Sequence, residues 1–583
     1  MKRTLDLDDI QGNVVRAYGK FGYPKARYFF LNFTNAWVGR AFVREVLASG
    51  FVTTAQRWPK DATQYPRCTF NIGFTFIGLY MLELPVRTLQ GFPDEFIDGM
   101  RKRSYVLGDQ PATHLVDPTQ PVLPSDPPPD WIARWDPIWR ENRRYPGDPT
   151  DVHIWISMNA RVEPFTENVV GGDRGPDILE ERTQWLRDTC AAVTARYAAE
   201  HGDARGRIRI LDGNGRDGGA EYQSGSALFD DFTHREHGTV RLPIPSEHFG
   251  FADGIGDPVF EGQYEPDVMR QKVIGRGKWM SPARGWEPLA TGEFVLGYPD
   301  ESQELPPAPR PDDFSRNGSF MAYRKLHQNV STWRDFIREE GRRYARVVGL
   351  PEPQAEVALK SKMIGRWPDG VPLSKAPDFE SWMAVRAQFR MTEDKTVENY
   401  AAHRDYLGKT HASDFKYGDD MQGAACPFGA HMRRVNTRDH LDPALARGTA
   451  TVRDSVSSLN KRRRIMRRGL PYGDSTPGAG DDSTEQGVIM MVVCASLFRQ
   501  YEFVQQQWIQ YGLDFNAGNS TCPLVGNHDH YKRFVATGDP SKGQIPYIVD
   551  NLKTFVEPRG GEYFFIPSIT ALRMIARGTV DPT

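Results

Sequence analysis

Cysteine is scarce in this chain. There are five in 583 residues, Cys68, Cys190, Cys426, Cys494 and Cys522, too few and too scattered for a disulfide framework. No Cys-x-x-Cys-His occurs, so covalent attachment of a c-type haem is not supported. No apolar run approaches the ~20 residues that a membrane-spanning helix needs. The first ten residues, Met1-Lys2-Arg3-Thr4-Leu5-Asp6-Leu7-Asp8-Asp9-Ile10, are rich in charge and lack an apolar stretch, so no secretory signal is read and a cytoplasmic location is expected. Net charge is also small: 73 Lys and Arg stand against 75 Asp and Glu, giving −2. That argues against a general polyanion binder, and neither nucleic acid nor membrane is expected as a partner. No P-loop or dinucleotide-binding fingerprint is present.

Proline is not scarce, and it punctuates the chain. Residues 117–151 and 305–311 are proline-dense and read as surface loops. Trp131, Trp135 and Trp139 fall on one side of a short helix in the first stretch, which should therefore pack onto the body. Strand-like patterns run over 27–33, 69–76, 151–158 and 207–211. Helical spacing of apolar residues covers 36–48, 86–101 and 177–198. Later, 294–296, 318–323 and the apolar run 487–494 read as strands, and 501–508 as a helix. Strands and helices mixed without regular βαβ alternation indicate an α+β fold, with two related halves allowed. At this length more than one domain is expected, set here at 1–245 and 246–583.

Three segments carry chemistry. The first is His248-Phe249-Gly250-Phe251-Ala252-Asp253-Gly254-Ile255-Gly256-Asp257-Pro258, which sets one carboxylate, Asp253, among glycines and aromatics in a tight turn. Glycine there permits positive φ and close backbone approach to a ligand. The second is Cys426-Pro427-Phe428-Gly429-Ala430-His431-Met432-Arg433-Arg434-Val435-Asn436-Thr437-Arg438-Asp439. The third is Arg464-Ile465-Met466-Arg467-Arg468-Gly469-Leu470-Pro471-Tyr472-Gly473. It ends a basic run with six cations among residues 461–468, which could also be a solvated anion-binding patch. Shorter strings lie outside these three: Asp8-Asp9-Ile10-Gln11-Gly12-Asn13, Gly292-Glu293-Phe294-Val295-Leu296-Gly297-Tyr298-Pro299, Asn317-Gly318-Ser319-Phe320, and Arg559-Gly560-Gly561-Glu562-Tyr563-Phe564-Phe565-Ile566-Pro567-Ser568.

Taken in order, these strings resemble the dye-decolourising peroxidases along almost the whole chain. The resemblance implies two ferredoxin-like halves of α+β type, with one non-covalent haem b per chain held mainly by the second. It makes His431 the axial iron ligand. Arg438 falls where a haem propionate would be met in two-pronged fashion. Gly250 and Gly254 belong to the haem-facing loop. Asp253 takes the distal acid–base role and Arg467 that of the distal arginine. Thr437 departs from the usual Asn-Pro-Arg, which loosens a turn and removes no ligand. An acid should orient His431 through its other ring nitrogen, and Glu502 is the candidate. The implied activity is peroxide reduction coupled to oxidation of bulky organic donors such as dyes or phenolics. A carboxylate beside a guanidinium stays ionised, so mildly acidic pH should favour that activity. Hydrogen peroxide and a small-molecule donor are the expected partners, with a homo-oligomer allowed. A non-catalytic haem-binding or iron-handling protein on the same scaffold is the alternative.

Overall fold

The computed structural model describes residues 5–59, 61, 64–109, 132–162, 177–213, 221–392, 394–408, 410–441, 458–474, 476–518, 520–528, 532–539 and 543–580. Trp131 and most of the first proline-rich stretch lie outside the described residues.

Two β-α-β-β-α-β units share one sheet. In the first half β1 is Lys25–Phe33, α1 Ala36–Ala48, β2 Cys68–Phe74, β3 Ile154–Ala160, α2 Asp177–His201 and β4 Ile208–Ile210. In the second, β5 is Ser319–Gln328, α3 Val330–Val348, β6 Met466–Arg468, β7 Gly487–Cys494 and β8 Val556–Ile566. Its second helix, α4, runs over 497–509 and is wound with wide turns at Leu497–Glu502 and Val504–Ile509. The sheet order is β6-β7-β5-β8-β2-β3-β1-β4. Each half thus orders its strands second, third, first, fourth, which is the ferredoxin-like arrangement expected from the motif resemblance. The halves meet at a single bridge, Phe565 opposite Phe74.

Local chemistry explains the elements. β1 reads Lys-Ala-Arg-Tyr-Phe-Phe-Leu-Asn-Phe and is buried throughout from Tyr28, as a strand covered on both faces requires. Asn35, Ser496 and Ser568 each cap a helix, accepting from the amides of Val38, Arg499 and Ala571 at 3.1, 3.2 and 3.0 Å. Ser568 starts α5, Ile569–Arg577, which packs on α1 and so returns the C-terminus to the first half.

The motifs away from the three chemical segments turn out to be staples. Gln11 donates to the carbonyls of Ile72 and Pro567 and accepts from the Ile72 amide, tying β2 to the end of β8. Asp9 accepts from the Thr570 amide and from Asn317, and Asn317 in turn accepts from the Tyr298 hydroxyl at 2.7 Å.

Two strand or helix assignments change. Residues 294–296 form a buried turn after the short helix Thr291–Glu293, because Leu296 exchanges hydrogen bonds with 317–318 instead of extending along a neighbour. The pattern over 86–101 splits into Val86–Gln90 and Asp94–Lys102, since Pro93 cannot continue a helix. Trp135 and Trp139 do pack onto the body, with the Trp139 ring 4.7 Å from Phe30 and 5.4 Å from Tyr323.

Asp151, just ahead of β3, is fully buried. It accepts from the Arg144 amide through Oδ1 while Oδ2 has no partner. Burial pushes its carboxyl up to about 7, with the charges of Asp148 and Glu562 adding to the effect and Arg144 opposing it. A raised folded pKa means that the native state holds this proton longer than the unfolded chain, so stability falls as pH climbs from about 4 towards 7. Asp151→Asn keeps the Oδ1 bond and removes the charge. Its urea midpoint should match wild type at about pH 4 and exceed it at about pH 8 by the equivalent of roughly 2–4 kcal/mol. Equal midpoints at the higher pH would refute this.

Candidate functional site

The second half encloses a cavity with an empty volume of about 1440 Å³, counting its mouth. Its walls come largely from the 247–258 loop, the 431–436 helix, the 464–467 segment and α4, with further residues from β5, β7, β8 and the stretches around 364–366 and 524–525. Most of the lining is apolar, including Ile255, Met432, Val435, Val488, Val504 and Leu524.

One wall is acid and base together. Asp253 sits in the turn between Gly250 and Gly254, both at positive φ of 87° and 75°. Its amide donates to the Pro245 carbonyl at 2.6 Å, and the Gly254 amide donates to its Oδ1 at 2.6 Å. Arg467 Nη2 donates to the same oxygen. Arg467 is the middle residue of β6, paired with Val492, while Met466 and Arg468 pair with Val493 and Met491. Alternation along the strand therefore parts the two arginines. Arg468 turns to the carbonyls of Asn13 and Val14 and to Asp257, while Arg467 meets Asp253. The Asp253 charge, against some desolvation, pushes the Arg467 guanidinium further up. Both side chains keep about a third of their surface open, 37% for Arg467 and 38% for Asp253. Part of that opening faces a second cavity of about 1130 Å³, lined by Asn13, Tyr18, Asn159, Pro245 and Leu470, which also reaches Asp253 and Arg467. The ion pair forms a partition between the two spaces.

Behind this pair stands Glu247, which sequence reasoning missed although it immediately precedes the motif. It accepts from the amides of Phe249 and Phe251 at 2.8 and 2.9 Å and from Gln328 at 2.5 Å, and it lines the cavity. Burial raises its carboxyl to about 7, and the nearby Asp253 charge adds to the rise.

The cavity lining also includes His431, first residue of the short helix His431–Val435. Ring nitrogen Nδ1 lies 3.1 Å from Cys522 Sγ. Among the described residues no hydrogen bond is made to Nε2, and His431 lines the cavity. Burial pushes the Cys522 thiol up, but the His431 ring and the Arg434 guanidinium outweigh it and bring it down to about 7.

Three expected residues stand elsewhere. Glu502 is buried in α4 and is held by Arg103 at 2.5 and 2.6 Å and by the Tyr563 hydroxyl at 2.8 Å. Its neighbour Tyr501 lines the cavity; one helical step turns Glu502 away towards the sheet, so it is not the partner of His431. Arg438 is not among the cavity-lining residues. Its Nη1 donates to the carbonyls of Ser413 and Phe415 at 2.9 and 2.8 Å, and the guanidinium lies over the Phe415 ring. Burial lowers it to about 9. The cations on the cavity wall are Arg366, Arg464 and Arg467. Gly250 shapes the turn, donating to the Glu247 carbonyl at 2.9 Å, without lining the cavity, whereas Gly254 lines it.

The basic run at 461–468 is likewise absorbed by the fold. Arg462 pairs with Asp300, and Arg464 donates to the carbonyls of Gly277 and Arg276.

The residues fit a haem. The lining of an apolar slot includes an imidazole and a carboxylate–guanidinium pair, and Arg366 and Arg464 supply cations for an acidic edge. Among the described residues the buried Asn436 Oδ1, also at the cavity, has no hydrogen-bond partner. Among the described residues no helix is long and apolar enough to cross a membrane.

Comparison with known proteins agrees with this architecture. No protein-family model matches the chain. Peroxidase 2 of Mycetinis scorodonius is 27% identical over 344 residues, 56% of this chain and 56% of that protein. Multifunctional dye peroxidase DyP2 of Amycolatopsis sp. is 28% identical over 349 residues, 56% of this chain and 61% of that protein. The chain thus spans a little over half the length of the curated relatives it matches. The solved structure of an ancestral D-type dye-decolorizing peroxidase superimposes with a TM-score of 0.65 at 20% identity, over 98% of this chain and 99% of the other. In fold the chain is similar to a solved dye-decolorizing peroxidase, and over a little more than half its length it is similar in sequence to proteins named as dye peroxidases.

Proposed function

We propose that the protein is a haem-dependent peroxidase that reduces hydrogen peroxide and oxidises bulky organic donors such as dyes or phenolics. The observation that carries this reading is that the Asp253–Arg467 pair and His431 line one and the same apolar cavity. Storing or carrying a haem needs a ligand and a slot; it has no use for an acid–base pair on the open face. A haem b held there, one per chain, supplies the iron through which electrons pass from donor to peroxide.

The chain's own residues do the rest. His431 holds the cofactor through Nε2. Arg366 and Arg464 receive its acidic edge, as fixed guanidinium groups suit carboxylates. Asp253 takes a proton from one peroxide oxygen and returns it to the other, so that the departing oxygen leaves as water. Arg467 stabilises the negative charge that builds as the oxygen–oxygen bond breaks. Its bond to Asp253 Oδ1 also fixes the carboxylate in place. The second cavity gives a small polar molecule a route to this pair, lined by Asn13, Tyr18 and Asn159.

The test is a visible spectrum of the purified protein followed by addition of peroxide. Absence of haem absorbance in protein reconstituted with haem would overturn the reading. Bound haem that fails to turn over peroxide with any organic donor would favour a non-catalytic haem carrier. His431→Ala should lose most of the bound haem.

Replacing Asp253 by Asn should slow peroxide reduction by roughly 10²–10⁴-fold. Arg467→Leu should cost on the order of 10²–10³-fold. Arg468→Leu should stay within a few-fold of wild type in rate, because its guanidinium serves the N-terminal segment. Stopped-flow kinetics at fixed haem content separates the three.

Arg438→Met leaves two loop carbonyls and a buried cation site rearranged, so stability should drop by about 2–4 kcal/mol. Haem affinity per folded molecule should change little. Arg464→Met should instead weaken haem retention by at least about tenfold, the scale of one lost charge-assisted contact. Transfer of haem to an apo-globin scavenger measures both, and the opposite ranking would return Arg438 to the propionate role.

A further inference from the structure

A histidine that ligates iron through Nε2 carries its proton on Nδ1, and the group that accepts this proton sets the ring's orientation and basicity. Among the described residues the partner of His431 Nδ1 is a sulfur, Cys522 Sγ, at 3.1 Å. No carboxylate is bonded to this ring, and the acid on α4, Glu502, is committed to Arg103 and Tyr563.

The sulfur is held firmly. Cys522 is fully buried, among Val504, Trp508, Ile509 and Phe515. Its amide donates to the Ile509 carbonyl at 2.7 Å, which joins it to the end of α4. Its carbonyl accepts from His528 Nε2 at 2.9 Å and from the Gly526 amide at 3.0 Å. The Val525 amide donates to the sulfur itself. On the far side Arg434 donates to the carbonyls of Gly429, Trp508, Tyr511 and Ser520, locking the His431 helix to the segment that carries Cys522. The groups turned towards Sγ are thus donors and a cation, a setting built for an acceptor.

We propose that Cys522 is the positioning residue of the axial ligand: its sulfur accepts the Nδ1 proton of His431, in the role for which a carboxylate is the commoner choice. This rests on the haem reading above. Sulfur is a larger and weaker acceptor than a carboxylate oxygen, so it lends the imidazole less electron density. Iron held by this ring is then easier to reduce than iron held by a ring bonded to an acid. The ring's orientation is fixed all the same, because Cys522 cannot move without breaking the bonds at Ile509, Gly526 and His528.

The experiment uses the haem-loaded protein and the variants Cys522→Ala, Cys522→Ser and Cys522→Asp. Three quantities are read: haem retention by scavenger transfer, the ferric/ferrous midpoint potential, and the iron–imidazole stretching frequency of the ferrous form. Cys522→Ala should weaken haem retention about 10- to 100-fold, the usual cost of losing a ligand's supporting partner. It should also raise the potential and lower the stretching frequency. Cys522→Asp should move both spectroscopic readouts the other way, leaving wild type between the two, and Cys522→Ser should restore part of the retention lost in Cys522→Ala. Should the buried aspartate prevent folding, the alanine and serine variants decide alone. If Cys522→Ala keeps the wild-type potential, frequency and retention, the sulfur is only packing and the proposal falls while the peroxidase reading stands. If the wild-type protein takes up no haem, both fall.

Discussion

The pairing of the three-residue strand β6 with β7 is the constraint on which the cavity depends. Side chains alternate along a strand, so register alone decides which arginine meets Asp253 and which is spent on the N-terminal segment. With Arg467 opposite Val492, its guanidinium reaches the carboxylate 214 positions earlier in the chain. A slip of one residue would turn Arg467 away from Asp253 and bring a neighbouring side chain to the carboxylate in its place. That register is secured from both sides. β7 is paired along its length with β5, and Arg468 donates to the Asn13 and Val14 carbonyls. The N-terminal segment, itself stapled through Gln11 and Asp9, is thereby part of the machinery that aims Arg467.

Buried charge is the second theme. Arg366, Arg438 and Arg464 are all enclosed, and burial pulls each guanidinium down. Backbone carbonyls offset part of that cost: Gly370 for Arg366, Ser413 and Phe415 for Arg438, Gly277 and Arg276 for Arg464. Neutral acceptors cannot cancel a full charge. An anionic edge on a ligand would cancel it where Arg366 and Arg464 meet the cavity. The same slot holds Glu247, a carboxyl raised to about 7 behind Asp253. This face of the cavity therefore carries two acids, one ion-paired with Arg467 and one whose carboxyl burial raises to about 7.

The wide-turned helix α4 ties the sheet to the site. It gives Tyr501, Val504, Gln505 and Ile509 to the cavity, and it anchors Cys522 through the Ile509 carbonyl. Helices wound this way recur at functional sites because the extra residue per turn shifts the faces they present. Here the shift separates adjacent residues sharply: Tyr501 looks into the cavity and Glu502 into the sheet, against Arg103 and Tyr563.

By itself the sequence determined the α+β class and three segments that help to wall the cavity, while the two ferredoxin-like halves were implied by the motif resemblance. These are local properties, written in apolar periodicity and in short strings where glycine, proline and a charged residue must occur together. Even the separation of Arg467 from Arg468 was legible, since it needs only the two-residue period of a strand. Contacts across long separations were not. Cys522 meets His431 over 91 positions, and neither spacing nor periodicity announces a thiol where an acid is expected. Glu502 had the right chemistry on the wrong face of a helix. Arg438 had the right fork but turned it to the carbonyls of its own neighbourhood, and Glu247 gained its raised carboxyl only from what closes over it. Which polar group ends beside which is set by packing in three dimensions, because burial, charge and hydrogen-bond supply at a site are sums over elements that the chain brings together only when it folds.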